Sequence, residues 1–577
     1  MDYKQSKGDI FKSSNVKEWY SLVNSLINNG QKRAINLTNV PELAYKPTEE
    51  AIETINQHFA KICNKYPPIG DNYKKLINPD EKKFEMISEL ETYKLIKKFS
   101  KKALGPGDFP RRILKEFAVE LAAPFCDITN CSVKKEILLD IYKKAIIVPI
   151  PKENPPRSMS DLRPISKTPI GGKIIEKRMN YESEIDLKHK ADPDQYGNEK
   201  GCSTSHYLIK LMDEAFRATD KGLATTAITI DYSKAFDYVS HPVLIDKLKK
   251  LGFRSSLVNM FVSFLSNRSH CTQILNTYSS YAEITCGVPQ GTCSGPKLFS
   301  ILIIGEKCSL VKNYKYVDDK TITYTHSGDP SELLQKALDM EVEETEKDKM
   351  IINSKKCNSI TFNFSKNNSA PKDLQLNNNA LKQCDKIKLL GVILSKDLKW
   401  HENTRHICSK VNKKYYILSK LKQFGFGIEE LIKAWETIIR PVAEYAAPLW
   451  HSGLTNSDRR RIEFLQKKAL GIILGISFVE CKKFYKIDKE LVPYEEALEK
   501  LGLISLESRR EILTSNFAVE TFKNERHRDM FPKIESSIRV GRTIYKVKEE
   551  NCRSARFFNS AIPYMKRILN GVITTRD

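Results

Sequence analysis

The tetrapeptide Tyr316-Val317-Asp318-Asp319 constrains what this chain can fold into more than any other stretch. Two adjacent carboxylates lie between runs that read as strands, Asn313 to Val317 before and Thr321 to Thr325 after. In a continuous strand the two side chains would point to opposite faces. A tight hairpin turn instead presents both at its tip. Adjacent acids repel and make poor core material unless a positive charge stands between them. A divalent metal meets that need, and hard oxygen ligands favour Mg²⁺ or Mn²⁺. An isolated acidic pair is equally an ordinary surface turn, so the rest of the chain decides between the two.

A second carboxylate site lies upstream. Ala227 to Ile230 is β-prone and ends in Asp231, the first residue of Asp231-Tyr232-Ser233-Lys234-Ala235-Phe236-Asp237. The spacing of Leu244, Leu248 and Leu251 predicts a helix from His241 or Pro242. Asp231 therefore stands at the C-terminal end of a strand, where α/β sheets place ligands. Two strand-end carboxylate sites far apart in sequence are what a two-metal phosphoryl-transfer centre requires. Between them runs Gly287-Val288-Pro289-Gln290-Gly291-Thr292-Cys293-Ser294-Gly295-Pro296, whose glycines permit close approach of backbone to a ligand. Alone, it is also a plain Gly/Pro loop.

In their order these motifs resemble a reverse transcriptase of non-LTR (LINE-type) retrotransposons, in the jockey-like group. Asp231 to Asp237 resembles the first palm motif, Gly287 to Phe299 the template-and-nucleotide loop, and Tyr316 to Asp319 the YxDD turn. Ile147 to Lys152 and Asp161-Leu162-Arg163-Pro164-Ile165-Ser166 resemble the basic fingers motif. Asn353 to Cys357 resembles the lysine-bearing motif after the turn. Leu389-Leu390-Gly391-Val392 with Asp397 to Trp400 resembles the primer grip. Arg440 to Trp450 and Leu503 to Arg510 are similar to C-terminal stretches of the same elements.

The resemblance implies an α/β right-hand polymerase: fingers, a palm of antiparallel sheet plus helices, then a helical thumb. The expected division is an N-terminal helical extension over 1–95, fingers and palm over 96–400 with a core of about 131–395, a thumb over 401–480, and a C-terminal region of unknown role over 481–577. It implies an RNA-directed DNA polymerase that adds dNTPs to a primer 3′-hydroxyl on an RNA template. Asp231, Asp318 and Asp319 would be the catalytic carboxylates. With the backbone carbonyl of Tyr232 they would hold two Mg²⁺, or Mn²⁺. Lys152 and Arg163 would take the triphosphate. Phe236 would lie beneath the incoming sugar, Gln290 and Gly291 would meet nucleotide and template, and Lys356 would act as a general acid toward pyrophosphate. The chain departs from the usual pattern at Asn198 in Gln195-Tyr196-Gly197-Asn198 and at Cys293-Ser294. The endonuclease that opens longer relatives has no room before residue 100, and no zinc-knuckle or RNase H pattern is visible.

Charge agrees with a polyanionic partner. The 577 residues carry a formal net charge of +23, and template RNA with a DNA primer or target DNA would complement it. No apolar run is long enough to span a membrane and no signal peptide opens the chain. Thirteen cysteines without paired metal spacing read as reduced thiols of an intracellular protein; zinc at Cys126 and Cys131, or at His401, His406 and Cys408, is the lesser reading. Access to chromosomal DNA would require the nucleus, though no basic targeting run stands out. Residues 1–95 read as mostly helical, Asn367 to Asn379 as a hairpin or loop. From 404 the positions Ile407, Val411, Tyr415, Leu418 and Leu421 recur at helical spacing. Arg405, Lys410, Lys413, Lys414, Lys420 and Lys422 share those turns, with Arg459-Arg460-Arg461 and Lys467-Lys468 beyond. This suits a helix that packs on one side and tracks a duplex on the other. Two rivals are an RNA-templated RNA polymerase, which Phe236 and the lack of Gly before the acidic pair disfavour, and a catalytically inactive or domesticated RNA-binding relic, which the three retained aspartates disfavour.

Overall fold

The strand Ala224–Ile230, Ala-Thr-Thr-Ala-Ile-Thr-Ile, is rich in β-branched residues and buried along nearly its whole length, the composition that suits a central strand. A computed structural model describes Val23 and residues 39–571, apart from 71–72, 100–102, 154, 189, 191, 306–307, 309, 477–484, 488–489 and 541–542. In it, Ala224–Ile230 lies at the middle of a five-stranded palm sheet. Antiparallel neighbours flank it, Asn358–Phe362 on one side and Asp319–His326 on the other. Lys312–Tyr316 adds an antiparallel edge beyond Asp319–His326, and the short Lys382–Gln383 runs parallel to Asn358–Phe362. Successive side chains serve opposite faces. Ala227 joins Tyr207, Leu208 and Leu211 of helix Thr204–Asp220. Ile228 and Ile230 join Leu334 and Leu338 of helix Ser331–Lys347.

The fingers hold a second sheet. Lys144–Pro151 pairs antiparallel with Leu162–Lys167 and parallel with Arg268–Ile274. Ile52, Ile55 and Phe59 of helix Thr48–Ile62 close one face against Ile147, Leu162 and Ile274. Helices Glu89–Phe99, Ala122–Lys135 and Ile170–Asp186 share a small core of Ile96, Phe99, Cys126 and Ile174.

Several expectations need correction here. Of residues 1–95, most before 39 lie outside the described residues, and the described part is less helical than its pattern suggests. Between Ile62 and Glu89 no described residue is helical. Pro67, Pro68 and Pro79 remove backbone donors and push the preceding residues toward extended conformations. That stretch is instead tied down by side chains, such as the Tyr73 hydroxyl donating to Asn259 at 3.0 Å. The division at 95/96 cuts helix Glu89–Phe99, and that at 480/481 falls outside the described residues.

The thumb starts with helix His401–Asn412, but the pattern does not continue as one rod. A second helix, Tyr415–Gln423, follows a break at Lys413-Lys414. Ile407, Val411, Tyr415, Leu418 and Leu421 are all buried, so the spacing located the packed side even across the break. The long helix Asn456–Leu474 packs against both. Leu498 and Leu506, then Ala518, Phe557, Ile562 and Met565, join the same core as the thumb and helix Thr204–Asp220. The C-terminal helices therefore wrap the back of the palm. Among the described residues no helix is long and apolar enough to cross a membrane.

Candidate functional site

Antiparallel pairing brings the two distant acidic sites together. Ile230 pairs with Lys320, so Asp231 leaves the central strand beside the hairpin whose first pair is Tyr316 with Asp319. Val317 and Asp318 are its two turn residues. Val317 adopts a φ of 59°, a left-handed conformation that a β-branched side chain tolerates poorly. Two hydrogen bonds help hold it there. The Val317 and Gly197 N–H groups both donate to Gln195 Oε1, at 2.9 and 2.8 Å. Gly197 has no alternative, because a Cβ there would lie 2.5 Å from the Val317 nitrogen.

The three carboxylates perturb one another. Burial, the largest cause, raises Asp231, Asp318 and Asp319. Asp319 is pushed up to about 6, with the charges of Asp318 and Asp231 adding to the desolvation. Asp318 also feels Asp231, partly offset by Arg163 from the fingers. Lys356 and Lys152 pull Asp231 the other way, as does a hydrogen bond from Asn353. Such crowded oxygen donors suit a hard divalent cation in chemistry, and the mutual repulsion is what an added positive charge would relieve. Among the described residues, no three His, Cys, Asp or Glu side chains already converge as a finished metal cluster.

A cleft of about 250 Å³ opens from Asp231 and Asp319 past Lys356 to Lys386–Leu390. The last residues form the hairpin Lys386–Leu389 and Val392–Ser395. Its turn is secured by the Tyr445 hydroxyl, which donates to the Leu390 carbonyl at 2.8 Å.

None of the other expected nucleotide-binding residues lines this cleft; they fall in two groups. Lys152 follows the strand Lys144–Pro151, its Nζ donating to the Ser160 carbonyl at 2.8 Å. Burial and the nearby cations Lys356 and Arg163 depress its pKa. Arg163 is exposed. The second group centres on Gln290. Its amide donates to Asp237 Oδ1 at 2.9 Å, while its carbonyl accepts the Ser166 N–H at 2.7 Å. Gly291 has a φ of 123°, and a Cβ there would lie 2.5 Å from the Ser166 carbonyl oxygen. The half-buried Phe236 ring stacks on the buried Phe299 at 4.8 Å.

Residue types alone did not reveal two supports of the Gly287–Pro296 loop. Asp237, last in its motif, binds Gln290. Glu176, on helix Ile170–Asp186, accepts the N–H groups of Cys293 and Ser294 at 2.5 and 2.8 Å. Glu176 stands among Lys173, Lys177 and Arg178, so its residue type gave no signal of this role. Of the departures noted above, Cys293 is held through its backbone N–H and carbonyl, and Ser294 through its N–H and its hydroxyl, which donates to Asn180 Oδ1 at 2.9 Å.

In the thumb, Arg405, Lys413, Arg460, Arg461 and Lys468 line a second cleft of about 950 Å³ between His401–Asn412 and Asn456–Leu474. None of its lining residues is acidic. Lys414 and Lys420 do not line it. Lys422 donates to the Ile472 and Ile473 carbonyls at 2.7 and 3.0 Å, capping a helix end instead of facing the cleft. His401 Nδ1 lies 2.7 Å from Asp458 Oδ2, and no group of three metal-ligating side chains forms among the described residues.

Residues 150–394 match the reverse transcriptase (RNA-dependent DNA polymerase) family. A probable RNA-directed DNA polymerase from transposon BS of Drosophila melanogaster is 25% identical over 65% of this chain and 43% of its own length. The RNA-directed DNA polymerase from the mobile element jockey of the same species is 28% identical over 58% of this chain and 38% of its own. The chain thus spans about two fifths of these curated relatives. Among solved structures, an apo telomerase from Candida tropicalis, truncated from its C-terminal domain, aligns with a TM-score of 0.32 at 11% identity, over 48% of this chain and 59% of that one. The ordered motifs, the palm sheet and these sequence matches agree: residues 150–394 match the reverse transcriptase family, and the chain is similar to the RNA-directed DNA polymerases of jockey-like non-LTR transposons.

Proposed function

We propose that the chain is an RNA-directed DNA polymerase that extends a primer 3′-hydroxyl with dNTPs on an RNA template. The observation that supports it most is the pairing of Ile230 with Lys320, which sets Asp231 beside the Asp318-Asp319 turn. Nucleotide transfer asks little covalent work of a protein; alignment and charge neutralisation dominate. Asp231 and Asp318, with Asp319 and the Tyr232 carbonyl, would hold two Mg²⁺ or Mn²⁺ ions, which activate the primer hydroxyl and neutralise triphosphate charge when bound.

The chain's own side chains supply the rest. The charges of Lys356 and Arg163 oppose that of Lys152, and a triphosphate beside Lys152 would relieve that repulsion. Arg163 offers a planar fork for phosphate oxygens and Lys152 a point charge. Lys356, within electrostatic reach of Asp231, would give a proton to the leaving pyrophosphate. Phe236, backed by Phe299, would present its ring to the sugar. The Gln290 side chain is engaged with Asp237, so Gln290 and Gly291 would meet the nucleotide and template mainly through their backbone. The basic thumb cleft would follow the phosphates of the template–primer duplex.

The purified chain should extend a DNA primer annealed to RNA when given dNTPs and Mg²⁺ or Mn²⁺, and should stall when the ions are chelated. Tight RNA binding with no extension under either ion would instead favour an RNA-binding relic.

A further inference from the structure

The C-terminal segment Asn524–Asp529 reaches the far side of the acidic turn. Arg526 Nη2 donates to the backbone carbonyls of Gln195 and of Asp192, the latter at 3.2 Å. His527 Nε2 lies 3.0 Å from the Gly201 carbonyl, and its ring stacks on His206 at 4.0 Å. Asn524 donates to the same Gly201 carbonyl at 3.1 Å. Residues 192–201 are therefore gripped from behind by groups hundreds of positions away in sequence.

From the front, the same residues grip the hairpin. The Tyr196 N–H donates to the Lys315 carbonyl and the Lys315 N–H to the Asp194 carbonyl, both at 2.8 Å. Lys315 Nζ pairs with Asp192 at 2.7 Å. The Gln195 side chain, 2% exposed, takes the Val317 N–H. A strained φ persists only where its surroundings over-determine it, and Val317 is the residue that turns the chain into Asp318.

We propose that Arg526 is a positioning residue for the acidic turn: it fixes residues 192–201, and through Gln195 the strained backbone that presents Asp318 and Asp319. The contact would make the C-terminal region a working part of the polymerase site. Its catalytic consequence rests on the polymerase reading above; its structural consequence does not. Removing the guanidinium takes the donor from the Gln195 carbonyl and leaves the Asp192 carbonyl to the Gln195 N–H, at 3.2 Å, which loosens the segment they belong to.

The test is amide hydrogen exchange on the full chain. In Arg526→Ala, peptides covering 313–321 and 192–201 should exchange about tenfold faster, the signature of local opening. Peptides from the strand Ala224–Ile230 should be unchanged. Arg526→Lys, which keeps the charge but loses the fork, should fall between. Arg528→Ala, an exposed neighbour paired with Glu525 at 2.8 Å, should match wild type. In primer extension, Arg526→Ala should lower kcat with the dNTP KM unchanged. Unchanged exchange at 313–321, or acceleration spread evenly over the palm, would overturn the proposal. Exchange does not depend on activity, so an inactive wild-type chain would count against the polymerase reading and not against this contact.

Discussion

Asp318→Asn should abolish primer extension, with kcat lowered by about 10³-fold or more, equivalent to about 4 kcal/mol of lost transition-state stabilisation. Asparagine preserves the volume at the turn but withdraws the negative charge that a divalent ion needs. Asp318 and Asp319 sit where burial and their neighbours' charges already disfavour ionisation, so the fold gains nothing from holding them together without a cation. The substitution should not destabilise the chain, because it removes repulsion. RNA affinity should change by less than about twofold, since the basic thumb cleft, not the turn, would neutralise phosphates. Extension near the wild-type rate, measured beside RNA binding on the same preparation, would remove the acidic turn from the chemistry.

Phe236→Ala should relax sugar selection. The ring comes off the end of the strand that carries Asp231 and rests against Phe299 at 4.8 Å. It packs against the core yet stays half-buried. Removing it opens room for a 2′-hydroxyl without touching a carboxylate. The ratio of kcat/KM for an rNTP to that for the matching dNTP should rise by about 10- to 100-fold. A fully buried Phe→Ala change costs ~3–5 kcal/mol, and Phe236 is only half-buried, so a thermal melt should show a smaller loss. An unchanged ratio in a variant shown to be folded would make Phe236 a packing residue alone.

What the residues announced and what they hid follows the range of the interactions. The strand ending in Asp231 and the hairpin ending at Asp319 were legible because a run of β-branched residues and a two-residue turn are local properties. The thumb was legible for the same reason, as Ile407 to Leu421 kept helical spacing even though the helix breaks at Lys413-Lys414. The role of Lys422 was hidden, because its partners at Ile472 and Ile473 belong to another helix. Glu176 and Arg526 were hidden likewise. Each satisfies backbone groups far along the chain, and no spacing rule signals such a contact. The irregular path between Ile62 and Glu89 was misjudged through apolar spacing, where its prolines outweigh periodicity.

The central claim is that Asp231 and Asp318, far apart in the chain, act as one centre. A double-mutant cycle tests this most directly. Single-turnover extension of an RNA-templated primer would be measured for wild type, Asp231→Asn, Asp318→Asn and the double variant, with long time courses to register residual rates. If both residues serve one centre, either change disables it, and the double variant should be no slower than the slower single one. Losses that multiply, or a single variant that keeps the wild-type rate, would contradict a shared site.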